Sequence, residues 1–168
     1  MITVRRRLAA DMDACVSVLR QVHEHDQYPL VWPADPGAWL SGSRQVAAWV
    51  ACDAGAACGH VALATPRPGE AEAAWATQLR VDPAELLCVA LLFVAPLARG
   101  NGTGALLLDT ALADARARGK RAALEVVTLN RRAIALYLAK GWRCIGSVRY
   151  DWLPPDEEAR LFLPPDQG

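Results

Sequence analysis

An apolar run, Leu86 to Ala98, passes Pro96 and delivers the chain into Arg99-Gly100-Asn101-Gly102-Thr103-Gly104, after which Ala105-Leu106-Leu107-Leu108 opens a helical pattern. No other segment limits the possible folds as much. The run is far shorter than the roughly 20 residues a membrane-spanning helix needs, so it predicts a buried central strand. A strand, a glycine turn and a helix start together make a seat for phosphate. The first-turn N–H groups of a helix have no partner within it and carry the positive end of its dipole. Glycines let that backbone approach an oxyanion and allow positive φ, and Arg99 adds a permanent cation. The stretch reads as a pyrophosphate cradle.

The rest of the chain alternates around this segment. Ile2 to Arg7 predicts a short strand, and Asp11 to Val22 a helix with Cys15, Val18, Leu19 and Val22 on one face. His23 to Ser43 is irregular, with Pro33 and Pro36, and suits a loop carrying a short helix. Val46 to Cys52 and Ala56 to Ala64 predict a hairpin about Asp53-Ala54-Gly55. Pro66 to Pro83 is polar and alanine-rich, with a helical turn or two from Glu70 to Gln78. After the long strand and the cradle come a helix (Gly104 to Arg118), a strand (Ala122 to Thr128) and a helix (Arg131 to Lys140). Arg143 to Trp152 and Arg160 to Leu163 close as strands. The chain of 168 residues has the length of one domain, 1–168, with neither repeats nor a linker. The pattern predicts an α/β (α+β) fold, a mixed sheet with helices on both faces.

Three reading frames of the glycines compete. A P-loop fails, because no Lys-Ser/Thr pair follows the last glycine. A dinucleotide fingerprint is met by Gly100, Gly102 and Ala105, with Glu125 at about the expected distance beyond. Its context argues otherwise: Ala95 to Arg99 separate the strand from the first glycine, Glu125 is followed by Val126-Val127 within its strand, and too little chain remains for a doubly wound sheet. The third frame is R-x-x-G-x-G, carried by Arg99, Gly102 and Gly104 and preceded by Val94-x-Pro96. A second block, Asn130-Arg131-Arg132-Ala133-Ile134-Ala135-Leu136-Tyr137 followed by Gly141-Trp142, comes after the strand from Ala122 to Thr128. Together these blocks resemble the acetyl-CoA loop and the N-x-x-A-x-x-L-Y-x-x-x-G-[F/W] signature of the GNAT superfamily of N-acetyltransferases. The resemblance is specific from about residue 85 to 142 and loose outside it.

The resemblance implies a six- to seven-stranded, mostly antiparallel sheet with a splayed central strand pair, and transfer of an acetyl group from acetyl-CoA to a primary amine. It implies that backbone groups of Leu92, Phe93 and Val94 hold the pantetheine arm, and that Arg99, Gly100, Asn101, Gly102, Thr103 and Gly104 hold the pyrophosphate. Asn130 and Arg132 are further cofactor contacts; Asn130 equally suits an N-cap, and Arg132 a solvated helix face. Tyr137 takes the role of general acid toward the departing thiolate and also touches the cofactor. Its plainer alternative is packing against Ala133. Many relatives carry a basic glutamate on the long strand, but Cys88, Val89 and Ala90 stand there, with Glu85 only at its start. The segment Leu124-Glu125-Val126 resembles the branch acting on a ribosomal protein's N-terminal amine, which makes Glu125 the candidate base beside a water relay. A carboxylate in mid-strand otherwise faces solvent or pairs with an arginine, since burying it unpaired is costly.

The acceptor is less legible. The family builds its site from the segment after the first helix, where Glu24, Asp26, Tyr28 and Trp32 stand, and from the last strands with Arg149-Tyr150-Asp151-Trp152. Glu24 and Asp26 would attract an ammonium group, and six tryptophans allow an aromatic wall. A small-molecule or peptidyl amine is expected. A longer acyl donor, a hydroxyl acceptor, or a non-catalytic acetyl-CoA-binding sensor module are the alternatives. His23 and His25, two residues apart, do not share a helical face, so no metal is expected. Formal net charge of zero gives no basic surplus for nucleic acid or an anionic membrane. Five cysteines without C-x-x-C spacing, and a start of Ile2-Thr3-Val4-Arg5-Arg6-Arg7 behind Met1, predict a cytoplasmic protein without a secretory signal. Family members occur as monomers or as homodimers through the last strands.

Overall fold

The computed structural model describes residues 1–166 of the chain. Among these, seven strands form one sheet in the order β1-β2-β3-β4-β5-β7-β6: β1 (Ile2–Arg6), β2 (Gln45–Asp53), β3 (Ala56–Ala64), β4 (Leu86–Val94), β5 (Arg121–Val127), β6 (Arg143–Val148) and β7 (Ala159–Leu163). The helices are α1 (Met12–Asp26), α2 (Pro36–Ser41), α3 (Glu70–Leu79), α4 (Thr103–Ala117) and α5 (Arg131–Ala139). Pairing is antiparallel for β1–β2, β2–β3, β5–β7 and β6–β7, and parallel for β4–β5, the mixed sheet expected. The chain divides into two compact units, Met1–Ala64 with Val89–Asp114, and Thr65–Cys88 with Ala115 onward.

In the first unit α1 buries the face read from its periodicity. Cys15, Val18, Leu19 and Val22 pack against Leu40, Val50, Cys52, Phe93 and Ala95, and each large aliphatic side chain so buried contributes about 1.5–3 kcal/mol. The helix runs one turn past the predicted end, to Asp26, because its last turn is polar and gives no apolar signal. It stops where Gln27 turns left-handed (φ 59°) and its N–H reaches the His23 carbonyl at 2.9 Å. On the opposite face, Gly59 of β3 admits α4: a Cβ there would lie 2.9 Å from Leu107 Cδ1 and 3.2 Å from the Phe93 carbonyl. Helices therefore cover both faces of this part of the sheet. β4 ends at Val94 rather than running on to Ala98, and Pro96–Ala98 forms a 3-10 turn that proline's fixed φ begins readily.

In the second unit α3 is a full helix where its alanine-rich sequence suggested a turn or two. It buries Ala71, Trp75 and Ala76 in a core shared with Leu86, Ala123, Val148, Ala159, Leu161 and Leu163. β6 stops at Val148, short of the predicted Trp152, because residues 150–153 turn back with Leu153 N–H on the Tyr150 carbonyl at 3.0 Å. Glu85 does not enter the strand: it closes a capping box on Asp82, accepting its N–H at 2.9 Å. No helix is long and apolar enough to cross a membrane among the described residues.

Candidate functional site

The cradle lies in the first unit. Gly100 and Gly102 both take φ +85°, and at neither would a Cβ meet any atom within 4 Å, so backbone conformation rather than space demands glycine there. α4 starts immediately after Gly102, with Leu106 N–H on the Gly102 carbonyl at 3.0 Å. Asn101 steadies the entry: its Oδ1 accepts the Thr103 hydroxyl at 2.6 Å and the Thr103 N–H at 3.3 Å, and Thr103 is buried. The remaining first-turn N–H groups, Gly104's included, precede the helix's own carbonyl ladder and are available to an anion.

Arg99 does more than supply charge. Its Nε donates to the Val94 carbonyl at 3.1 Å, Nη2 is paired with the Asp26 carboxylate, and Nη1 is buried without a protein partner. Asp26 is thus committed to the cradle arginine and to His25 Nδ1 at 2.7 Å, where the sequence offered it to an amine. Burial works to raise the Asp26 carboxyl, but the hydrogen bonds from Arg99 and His25 outweigh it and the net shift is downward.

The strand entering the cradle carries a feature that the sequence does not signal. Leu91 sits inside β4 with φ +53°, a left-handed conformation costing a residue with a Cβ about 1–2 kcal/mol. Its carbonyl accepts from Nδ1 of His60, a fully buried histidine on β3, at 2.8 Å. After this turn come Leu92 and Val94, half-buried, and Phe93, whose side chain is core. The parallel ladder to β5 covers only Leu86–Cys88 with Arg121–Ala123. From Val89 onward β4 keeps β3 as its neighbour, with Ala95 N–H on the Cys58 carbonyl at 2.8 Å.

In the second unit Glu125 is an exposed residue of β5, and its partner is not an arginine. Tyr150 donates its hydroxyl to Glu125 Oε2 at 2.5 Å. Burial, and then this hydrogen bond, push the Tyr150 phenol upward. Tyr150 also stacks on Trp152 (5.5 Å, 12°), which is 64% exposed. The Cys88 thiol is pushed up to about 12, by burial first and then by Glu125 and Glu72. Tyr137 is buried on α5, with the rings of Phe162 and Trp142 at 5.9 and 6.2 Å. Asn130 is the N-cap of α5, its Oδ1 accepting Ala133 N–H at 3.4 Å, while Arg131 and Arg132 lie exposed in the first turn.

Of the other acceptor candidates, Glu24 is exposed at the end of α1. Tyr28 is half-buried against Trp39 and Phe93 (6.3 and 6.4 Å), and burial raises its phenol. Trp32 lies beneath the Arg20 guanidinium (4.5 Å) and beside His23 (5.4 Å). Both aromatics pin the segment that follows α1. Among the described residues no group of three or more His, Cys, Asp or Glu side chains is placed to hold a metal ion.

The family model described as acetyltransferase (GNAT) matches residues 16–142. A sequence search of curated proteins finds no match. Among solved structures, an N-acetyltransferase from Staphylococcus aureus Mu50 gives a TM-score of 0.75 at 16% identity, over 96% of each chain. The ribosomal-protein-S18-alanine N-acetyltransferase from Escherichia coli gives 0.70 at 20% identity, covering 100% of this chain and 96% of its own. NAA60 from Arabidopsis thaliana, in complex with acetyl-CoA, gives 0.70 at 20% identity over 97% of each chain. At these identities the likeness is one of fold.

Proposed function

The chain belongs to the acetyltransferase (GNAT) family, and from that premise we propose that it moves the acetyl group of acetyl-CoA to a primary amine of a small molecule or peptide. One observation carries the reading: the left-handed turn at Leu91, followed by Arg99, two left-handed glycines and the start of α4. That sequence of backbone states supports an extended pantetheine arm along Leu92–Val94 and a pyrophosphate on the first-turn N–H groups. In this reading the orphaned Nη1 of Arg99 has a use, since a phosphate oxygen is the partner it lacks. Arg132, exposed beside the Asn130 cap, is assigned to the adenosine end.

The chemistry needs a neutral amine, a polarised thioester carbonyl and a proton for the leaving group. We assign Glu125 as the acceptor of the amine's proton, with Tyr150 fixing its carboxylate. The amine nitrogen then attacks the thioester carbon, and backbone N–H groups of the Leu92–Val94 segment stabilise the developing oxyanion. Collapse breaks the C–S bond, Tyr137 gives its phenolic proton to the thiolate, and the second proton shed by the acylated nitrogen restores the phenol. A phenol of ordinary pKa about 10 can reprotonate a thiolate of about 8.5.

With Asp26 held by Arg99, Glu24 is the carboxylate left to draw the acceptor's ammonium, and Tyr28 and Trp32 are assigned as further acceptor contacts. Five free cysteines suit a reducing cytoplasm, and the protein works there as a monomer or homodimer without nucleic acid, membrane or metal. Thiol release from acetyl-CoA across a panel of small and peptidyl amines tests the proposal. Amine-dependent release is expected; binding of acetyl-CoA with no amine turned over would instead make the chain a sensor.

A further inference from the structure

We propose that His60, with Arg7 behind it, is a positioning residue for acetyl transfer: it holds the left-handed turn at Leu91 and so sets the direction in which the Leu92–Val94 backbone meets the thioester. The idea rests on reading that strand as the acetyl-CoA seat. A leucine at φ +53° inside a strand persists only where its surroundings over-determine it. Here they do. The Leu91 carbonyl accepts from His60 Nδ1 at 2.8 Å, and His60 has no solvent exposure through which water could replace that bond.

The histidine is itself fixed. Its Nε2 lies 2.8 Å from Arg7 Nη1, and a guanidinium can only donate. Nε2 is therefore the acceptor, Nδ1 carries the proton, and the ring is neutral with its donor aimed at Leu91. Flipping the ring would break both bonds, and protonating it would set one cation against another. Arg7 is anchored in turn: Nη1 donates to the Leu40 carbonyl at 3.0 Å and Nη2 to Gln45 Oε1 at 2.8 Å, while Gln45 Nε2 also donates to Leu40 at 2.8 Å. On its face the imidazole stacks with Phe93 (5.1 Å, 14°), in the middle of the proposed donor segment. Directional bonds thus run from Leu40 and Gln45 through Arg7 and His60 to the turn. A leucine at position 60 would fill the core without aiming anything.

The test compares wild type, His60→Leu, and His60→Leu combined with Leu91→Gly, measuring acetyl-CoA affinity by calorimetry beside the melting temperature. His60→Leu is expected to weaken acetyl-CoA binding about tenfold, the size of one lost buried hydrogen bond. Leu91→Gly in that background is expected to recover most of the affinity, because glycine keeps a positive φ without help. A role confined to core stability would lower the melting temperature, and glycine would restore nothing. Should His60→Leu not fold, Arg7→Met asks the same question from behind the ring, with about a threefold loss that Leu91→Gly again recovers. Folded His60→Leu (or, in its place, Arg7→Met) binding like wild type, or an absent glycine rescue, would overturn the assignment of His60. A wild type that does not bind acetyl-CoA would overturn the reading of the site itself, and the positioning role with it.

Discussion

The two units carry their chemistry in different parts of the chain. In the unit formed by Met1–Ala64 and Val89–Asp114, the groups proposed to meet a ligand are mostly backbone: the strand past Leu91, the left-handed Gly100 and Gly102, and the first turn of α4. Three of its polar side chains, His60, Thr103 and Asp26, serve as struts. His60 and Thr103 are buried with their hydrogen bonds met, and Asp26 braces Arg99. In the unit formed by Thr65–Cys88 and Ala115 onward, the reactive candidates are side chains, Tyr137 in the core and Glu125 near the surface under Tyr150. A site of the first kind fails when its geometry is lost, and one of the second kind when an atom is removed. Substitutions should therefore divide into those that weaken cofactor binding and those that slow turnover.

The largest separation is expected at Tyr137. Replacing it with Phe removes one oxygen and should lower kcat about 1000-fold, roughly 4 kcal/mol, while acetyl-CoA still raises the melting temperature. Unchanged turnover would return Tyr137 to a packing role. Next comes an acid effect specific to the first unit. Burial, opposed by the Leu91 hydrogen bond and reinforced by Arg7, lowers His60 from 6.5 to about 4. Between those values the unfolded chain binds the extra proton, so stability is complete above about pH 6.5 and falls as pH drops toward 4, by about 3 kcal/mol. Urea unfolding at pH 7 and 4.5 should show this loss in wild type and a smaller one in His60→Gln; equal losses would contradict it. Asp11 does not confuse the window. Its carboxyl is held at about 2 by the Arg5 hydrogen bond and then by the Leu8 N–H, and its contribution fades only below 3.8.

Glu125→Gln should reduce kcat about 100-fold with acetyl-CoA affinity intact, and Tyr150→Phe should act in the same direction but less. An unaltered kcat in Glu125→Gln would favour the water relay. The smallest effect is expected at Gly102, where only backbone strain opposes a side chain. Gly102→Ala should weaken acetyl-CoA binding about tenfold, near 1.4 kcal/mol, and leave kcat at saturation unchanged. A fall in kcat alone would mean that the two kinds of site are not separable in this way.

The same division governs what could be read before the structure. The cradle and α5 were legible because Arg99, Gly102, Gly104, Asn130 and Tyr137 lie in short contiguous motifs whose spacing is local. The apolar face of α1 was legible from its period, though not the polar last turn ending at Asp26. The turn at Leu91 was hidden because positive φ is normally announced by glycine, and a leucine within an apolar run announces nothing. Its brace was hidden by distance along the chain, since Arg7, His60 and Leu91 come together only through strand pairing. The one hint was a histidine amid small and apolar neighbours (Gly59, Val61), a polar group that burial obliges to find partners. The Glu125–Tyr150 and Asp26–Arg99 pairs are likewise contacts between distant segments, and each changed the meaning of a residue already singled out.

The measurement that bears most directly on the segment from Leu91 to Thr103 is thermal unfolding with acetyl-CoA, CoA, NAD and NADP in parallel. A ligand that binds only the folded chain stabilises it by about 2.7 kcal/mol at 100 times its Kd. Acetyl-CoA is expected to raise the melting temperature while both nicotinamide dinucleotides leave it unmoved. A shift with NAD or NADP, and none with acetyl-CoA, would mean that the glycines cradle a different pyrophosphate.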